Sequence, residues 1–292
     1  MISAARPTFD LQSHSVHSDG ALAPRDVVAA AAAAGVELLA LTDHDTTAGV
    51  PEAARAAAAA GIGLIPATEI TSQFEGQQDL HVLGYLIDGL NPTLIRTLEG
   101  SRSDRERRAQ AMADALKELG FELDDAALAQ RAQQGKSIGR PHLAQAVVSQ
   151  PANRQRLEAA GLLDPTAFLV EYLIEGRPAF RPRSAPTVEE AIALIHEAGG
   201  VAVWAHPFWD IDEPQGVLDA IDRFRRAGLD GVESFYVTHT ESQTRLLAGR
   251  CAELDLLSTG SADFHGPQHH TFSTFRAFDT YGLEPALGPL AG

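Results

Sequence analysis

Cysteine is almost missing from this chain: one residue, Cys251, stands among 292. A single thiol excludes an internal disulfide and any cysteine-based zinc site, and its place in the helical run Glu241 to Leu254 gives it a packing role. Long apolar runs are missing as well. None reaches the length of a membrane span, and the opening Met-Ile-Ser-Ala-Ala-Arg-Pro lacks the apolar stretch of a signal peptide, so no membrane partner and a cytoplasmic location are expected. Positive charge is scarce. Against 39 Asp and Glu there are 23 Lys and Arg, a net charge of −16, which argues against duplex DNA or any nucleic acid held chiefly by phosphate contacts. Acidic and basic residues nearly balance only between Thr93 and Arg183; that segment is either the less repulsive face for an anionic substrate or a solvated helical surface.

What is present is a hydrophobic content of 45%, enough for a large core, and a repeated local pattern. Phe9 and Leu11 have strand-like spacing and lead to His14, after which Ser18-Asp19-Gly20 turns the chain. A lone histidine there would mean little. The same pattern, an apolar run ending in His beside a carboxylate, recurs at Leu39-Ala-Leu-Thr-Asp43-His44-Asp45, at Val201-Ala-Val-Trp-Ala-His206 and at Leu257 through Asp263-Phe-His265.

Taken in order, strands and helices alternate. Pro24 to Ala34 and Pro51 to Ala60 read as helices with Pro at their starts and Gly35 and Gly61 at their stops. Val36 to Leu41, Gly63 to Pro66 and Leu80 to Ile87 read as strands, the second leading to Glu69 and the third carrying His81 near its beginning. From Pro92 the pattern changes to helices only, so residues 92–176 read as a helical insertion between the parts 1–91 and 177–292 of a barrel domain. Alternation resumes at Thr187, where Glu190 completes a capping box, and Val201 to Ala205, Asp230 to Phe235 and Leu256 to Gly260 bring the strands to seven. Such alternation predicts an α/β fold with a largely parallel, closed or nearly closed sheet, and chemistry at the C-terminal ends of its strands.

The candidates gathered at those ends are His14, Asp19, His44, Glu69, His81, His206, Asp263 and His265. They are too many for one ion, since a zinc- or manganese-type ion takes four to six ligands; the set implies two or three divalent ions with a bridging carboxylate, for which Glu69 is the choice. Manganese is expected first, with zinc, iron or magnesium as alternatives. Taken one at a time, each of these residues has an ordinary structural reading; together they do not.

These residues resemble the polymerase and histidinol phosphatase (PHP) family. Asp10-Leu-x-x-His14-Ser-x-x-Ser18-Asp19-Gly20, Leu41-Thr-Asp-His44-Asp45, Glu69, His81-Val-Leu-Gly84, Ala205-His206-Pro207 and Ser261-Ala-Asp263-Phe-His265 are similar to its successive metal motifs. The size, the helical insertion and Gly139-Arg140-Pro141-His142 resemble the branch of 3′,5′-nucleoside bisphosphate phosphatases and a related 5′ to 3′ exoribonuclease. The resemblance implies a distorted seven-stranded (β/α)7 TIM-like barrel with a trinuclear site: one ion on His14, Glu69 and Asp263, a second on Glu69, His81 and His206, a third on Asp19, His44 and His265. It departs at Gln12, where the family carries the first His of a His-x-His pair; an amide oxygen suits Mn²⁺ or Mg²⁺ better than zinc. His17 is not expected to take that place.

The function expected is a metal-dependent phosphoric monoester hydrolase that removes the 3′-phosphate of a nucleoside 3′,5′-bisphosphate. Short 5′-phosphorylated RNA is a second substrate class. A hydroxide bridging two ions would attack phosphorus in line, with Glu69, His206 and Asp263 carrying the catalytic step and Arg140 and His142 contacting a phosphate, although Arg140 before Pro141 also suits a helix start. Asp43 or Asp45 is expected to fix an imidazole tautomer. Arg177, Arg181 and Arg183 read equally as pocket mouth or solvated linker, and His269 and His270 as solvated loop. The alternatives are a phosphatase for another small metabolite such as histidinol phosphate, or a metal-depleted barrel, marked by Gln12, that binds or regulates.

Overall fold

The computed structural model describes residues 7–133, 138–182 and 184–291. The chain divides into two compact units, Met1–Glu99 with Ala185–Gly292, and Gly100–Ser184. The first opens with β1 (Phe9–Asp10), α1 (Pro24–Ala33), β2 (Leu38–Leu41), α2 (Val50–Ala60), β3 (Gly63–Phe74) and β4 (Gln77–Tyr85). Prolines in the first turns of α1 and α2 and a left-handed Gly61 after α2 set the helix limits.

Next comes α3 (Pro92–Glu118), which both units share. Leu94 and Leu98 join the core of the first, while Met112, Ala113, Ala115 and Leu116 join that of the second. The second unit continues with α4 (Asp125–Gln133), α5 (Arg140–Val148), α6 (Arg154–Ala160) and α7 (Pro165–Tyr172). Phe121, Phe168 and Tyr172 form its aromatic centre, at ring distances of 4.8–5.1 Å. Residues after α7 stay with it, since Arg108 Nε donates to Arg181 O at 2.8 Å and Ser184 N to Asp104 at 3.0 Å.

The barrel resumes with α8 (Val188–Glu197), β5 (Val201–Trp204), the single turn α9 (Pro207–Asp210), α10 (Pro214–Arg226), β6 (Gly231–Tyr236), α11 (Glu241–Leu254) and β7 (Leu257–Ser261). The Thr187 capping box is formed, with Thr187 N donating to Glu190 at 2.8 Å and Glu190 N to Thr187 Oγ1 at 3.2 Å. Helix α10, which the sequence reading leaves unassigned, buries Val217, Ala220, Ile221 and Phe224 at helical spacing.

The strands lie in sequence order, β1 to β7, in a nearly closed seven-stranded barrel. Its seam is joined where Leu11 N donates to Gly260 O at 3.2 Å and His14 N to Phe264 O at 2.8 Å. The interior is filled by Leu11, Ala40, Ala67, Leu83, Val203 and Phe235, and Tyr85 donates its hydroxyl to Leu11 O. One strand departs from the parallel expectation: β4 is antiparallel to both β3 and β5. The cause is local. β3 runs on well past Pro66, and Glu75 and Gly76, both at positive φ (49° and 87°), make a two-residue hairpin turn in place of a helical crossover. Among the described residues no helix is long and apolar enough to cross a membrane.

Candidate metal centre

The reversal of β4 has a chemical consequence. Because the strand runs backward, His81, which precedes the stretch Val82–Tyr85 paired with β5, comes to the same end of the barrel as the residues that follow β1, β2, β5 and β7. His14 reaches that end on a loop stitched to its neighbours: Ser13 Oγ donates to Ala40 O at 2.7 Å, Thr42 N to Ser13 O at 2.9 Å, and Asp10 accepts from Ala262 N at 2.9 Å and Arg276 N at 2.7 Å. Burial pushes the Asp10 carboxyl up to about 7. Three residues near the site, Asp45, His206 and Asp263, hold positive φ without being glycine, a strain common where structure serves chemistry.

Glu69 sits at the centre, fully buried. Its Oε1 lies 2.9 Å from His81 Nδ1 and 3.2 Å from His206 Nε2, and its Oε2 3.1 Å from His14 Nε2 and 3.6 Å from His44 Nδ1. His14 Nε2 is also 3.1 Å from Asp263 Oδ1. Toward solvent, Asp19 meets His44 Nε2 at 3.5 Å, His265 Nε2 at 3.4 Å and His14 Nδ1 at 3.5 Å. All eight sequence candidates therefore come together. His14, Asp19, His44 and His265 form one group with donor atoms within 4.8 Å of one another, and His44, Glu69 and His81 a second.

The donor set fits divalent cations. Metal–ligand bonds of about 2.1 Å put neighbouring donors roughly 3.0–3.4 Å apart, the spacing found around Glu69 and His14. Buried His14 Nε2, His44 Nδ1 and Asp263 Oδ1 lack a hydrogen-bond partner, a state that costs about 1–3 kcal/mol each unless a cation satisfies it. The other faces of two candidate donors are fixed. His265 Nδ1 donates to Asp263 O at 2.7 Å, which turns Nε2 inward, and Tyr236 donates its hydroxyl to Asp263 Oδ2 at 2.7 Å.

Without an ion, protons supply the balancing charge. Burial opposes charge on the His206 ring, but the hydrogen bond and charge of Glu69 prevail and push it up to about 10. Burial likewise opposes charge on His14, where Asp263 and Glu69 prevail and hold it well above its usual value. For His44 burial wins, with its pKa pushed down to about 3.

Gln12 is buried beside these groups. Its Nε2 donates to Glu69 Oε2 at 2.9 Å and its Oε1 lies 3.4 Å from Ser261 Oγ. Asp43 accepts from Ser15 N, Ser15 Oγ and Ser18 Oγ, each at 2.7 Å. It thus reaches an imidazole through Ser18, 3.4 Å from His14 Nδ1, and not directly. Asp45 accepts from Thr71 N and Oγ1. His17 is in neither group. The sequence reading passes over Tyr236 and Glu233. Glu233 is fully buried, accepts from His206 N at 2.9 Å and Ser261 Oγ at 2.6 Å, and is pushed up to about 8 by burial; an acidic residue in the otherwise uncharged Gly-Val-Glu-Ser-Phe-Tyr strand was the available signal.

Arg140 and His142 belong to the helical unit and open α5, where His142 Nδ1 accepts from Gly139 N at 3.0 Å. Arg177 pairs with Glu171 at 3.6 Å, and Arg181 donates to Phe180 O at 2.8 Å. Arg183 lies outside the described residues. His269 and His270 are exposed, and His269 Nδ1 accepts from Phe272 N at 3.0 Å.

The chain is similar to known proteins. Residues 10–135 match the PHP domain family. A 5′-3′ exoribonuclease of Haemophilus influenzae is 35% identical over 89% of this chain and 90% of its own length. A 3′,5′-nucleoside bisphosphate phosphatase of Chromobacterium violaceum is 32% identical over 89% and 87%. A crystal structure described as a metal-dependent phosphoesterase from Bifidobacterium adolescentis superposes with a TM-score of 0.74 at 32% identity, covering 91% of each chain.

Proposed function

The chain belongs to the PHP family of metal-dependent phosphoesterases, and from that premise we propose that it removes the 3′-phosphate of nucleoside 3′,5′-bisphosphates, with short 5′-phosphorylated RNA as a second substrate. The observation that carries the reading is the convergence of five imidazoles and three carboxylates around buried Glu69. It is supported by relatives of those two names, each matched over nearly all of its length.

The ions would be held by His14, Glu69 and Asp263, by Glu69, His81 and His206, and by Asp19, His44 and His265. Bound divalent cations, manganese first among them, supply positive charge to phosphoryl oxygens and make water a nucleophile at neutral pH. The protein's own part is positioning. Glu69 presents one oxygen to each of the two inner groups, Gln12 holds Oε2 by its amide N–H, and Tyr236 orients Asp263 while leaving Oδ1 toward His14. His206 is set by the hydrogen bond from its backbone N–H to Glu233. Asp19 and His81, the most exposed members, mark the side on which a phosphate enters.

Purified protein given Mn²⁺ is expected to bind at least two ions per chain and to release phosphate from adenosine 3′,5′-bisphosphate faster than from histidinol phosphate. Glu69→Ala should abolish turnover with the circular dichroism spectrum unchanged. Fewer than two ions together with no phosphate release would overturn the reading and leave a metal-depleted barrel; faster release from histidinol phosphate would reassign the substrate.

A further inference from the structure

We propose that Trp209, Phe272 and His269 form a stacking platform for the substrate's base, at the His265 corner of the metal centre; this rests on the nucleotide reading above and names the part of the site that recognises the nucleoside. Among the described large hydrophobic residues that are exposed, Trp209 is the one aromatic, at 58%. An indole on the surface of a single helical turn serves no core. It is nevertheless held in place, since its Nε1 donates to Thr238 Oγ1 at 2.9 Å. Its ring lies 5.8 Å from that of Phe272.

Phe272 links this indole to the site. Its ring is 5.4 Å from His265, one of the grouped donors, 6.1 Å from Tyr236, which orients Asp263, and 4.9 Å from His269 in a near-parallel stack. The backbone fixes the same arrangement, with His265 N donating to Phe272 O at 2.9 Å and Phe272 N to His269 Nδ1 at 3.0 Å. The rings thus make a continuous strip from a donor of the metal centre outward to solvent. A nucleotide whose phosphate lies among the imidazoles carries its base one sugar away, where this strip begins. Aromatic faces accept any base, because every base has a π-face. The platform therefore favours a nucleoside over a bare sugar phosphate and tolerates adenine, guanine or uracil alike.

The Mn²⁺-loaded enzyme tests this with two substrates, adenosine 3′,5′-bisphosphate and methyl riboside 3,5-bisphosphate, which lacks a base. Trp209→Ala is expected to lower kcat/KM for the nucleotide about tenfold more than for the base-free ester, through KM, with Trp209→Phe recovering most of the loss. A second reading needs no turnover. Titrating adenosine 5′-monophosphate into metal-free protein should quench indole fluorescence, a signal absent in Trp209→Phe because the remaining Trp204 is fully buried. Equal losses on both substrates, or quenching that survives in Trp209→Phe, would overturn the platform even if the nucleotide is hydrolysed. Quenching by the nucleotide with no phosphate release from it would sustain the platform and sink the proposed activity instead.

Discussion

A carboxylate with no exposed surface is expensive unless its charge is matched; Glu69 has four imidazoles within 3.6 Å, and those of His14 and His206 are the ones whose pKa values are raised beside it. Its neighbour Asp263 depends on one hydroxyl as well. Tyr236→Phe removes the hydrogen bond to Asp263 Oδ2 while keeping the ring, so Asp263 should lose its fixed orientation; divalent-ion affinity is expected to fall about tenfold, read by competition with a metal-sensitive dye, with the melting temperature of the metal-free protein little changed. An unaltered affinity would make the tyrosine a packing residue. The eight donors could be read in the sequence because most of them end or follow an apolar run, with Asp19 in the turn after the first and His81 at the start of another. Tyr236 and Glu233 could not be read so readily, since one looks like the last aromatic of a strand and the other is a single charge inside it.

At the scale of elements, two glycines show how differently the chain uses the same residue. Gly76 closes the β3–β4 hairpin at φ +87° with open space where a Cβ would go, so only backbone conformation requires it. Gly20 is required by space: a Cβ there would stand 2.2 Å from His14 O and 2.7 Å from Ser15 N. Gly20→Ala must therefore push the 14–20 loop outward and carry His14 and Asp19 from their partners. The expected result is loss of at least one bound ion per chain, measured by elemental analysis, while the circular dichroism spectrum stays near wild type because no strand pairs through that turn. Full metal content would show that the loop absorbs the methyl group without moving its ligands. The hairpin explains the one antiparallel strand of a largely parallel sheet. Glu75-Gly76 is a weaker turn signal than Asn-Gly or Asp-Gly, and the apolar run of β4 has the same composition whichever way it points. Pattern gave the element, but pairing alone decides its direction.

Across the barrel as a whole, the order of the strands and the end at which donors gather follow from alternation and from where the polar residues fall in it. Burial of single groups at the joints does not follow, and it sets how the fold responds to acid. His239, in the loop after β6, is 5% exposed; its Nδ1 lies 3.2 Å from Ser234 O, and its Nε2 has no partner. Burial holds its pKa down at about 4 against an ordinary value of 6.5. Between those values the unfolded chain takes a proton that the folded chain refuses, so the contribution of this one group is complete above about pH 6.5 and declines as pH falls toward 4, with about 2 kcal/mol gone by pH 5. His239→Gln removes the titrating group. In urea unfolding of metal-free protein at pH 7.5 and pH 5, the variant should lose about 2 kcal/mol less than wild type across that interval, whatever its stability at the upper pH. Equal losses would place the acid sensitivity in other groups, His44 first among them, since burial lowers its pKa as well.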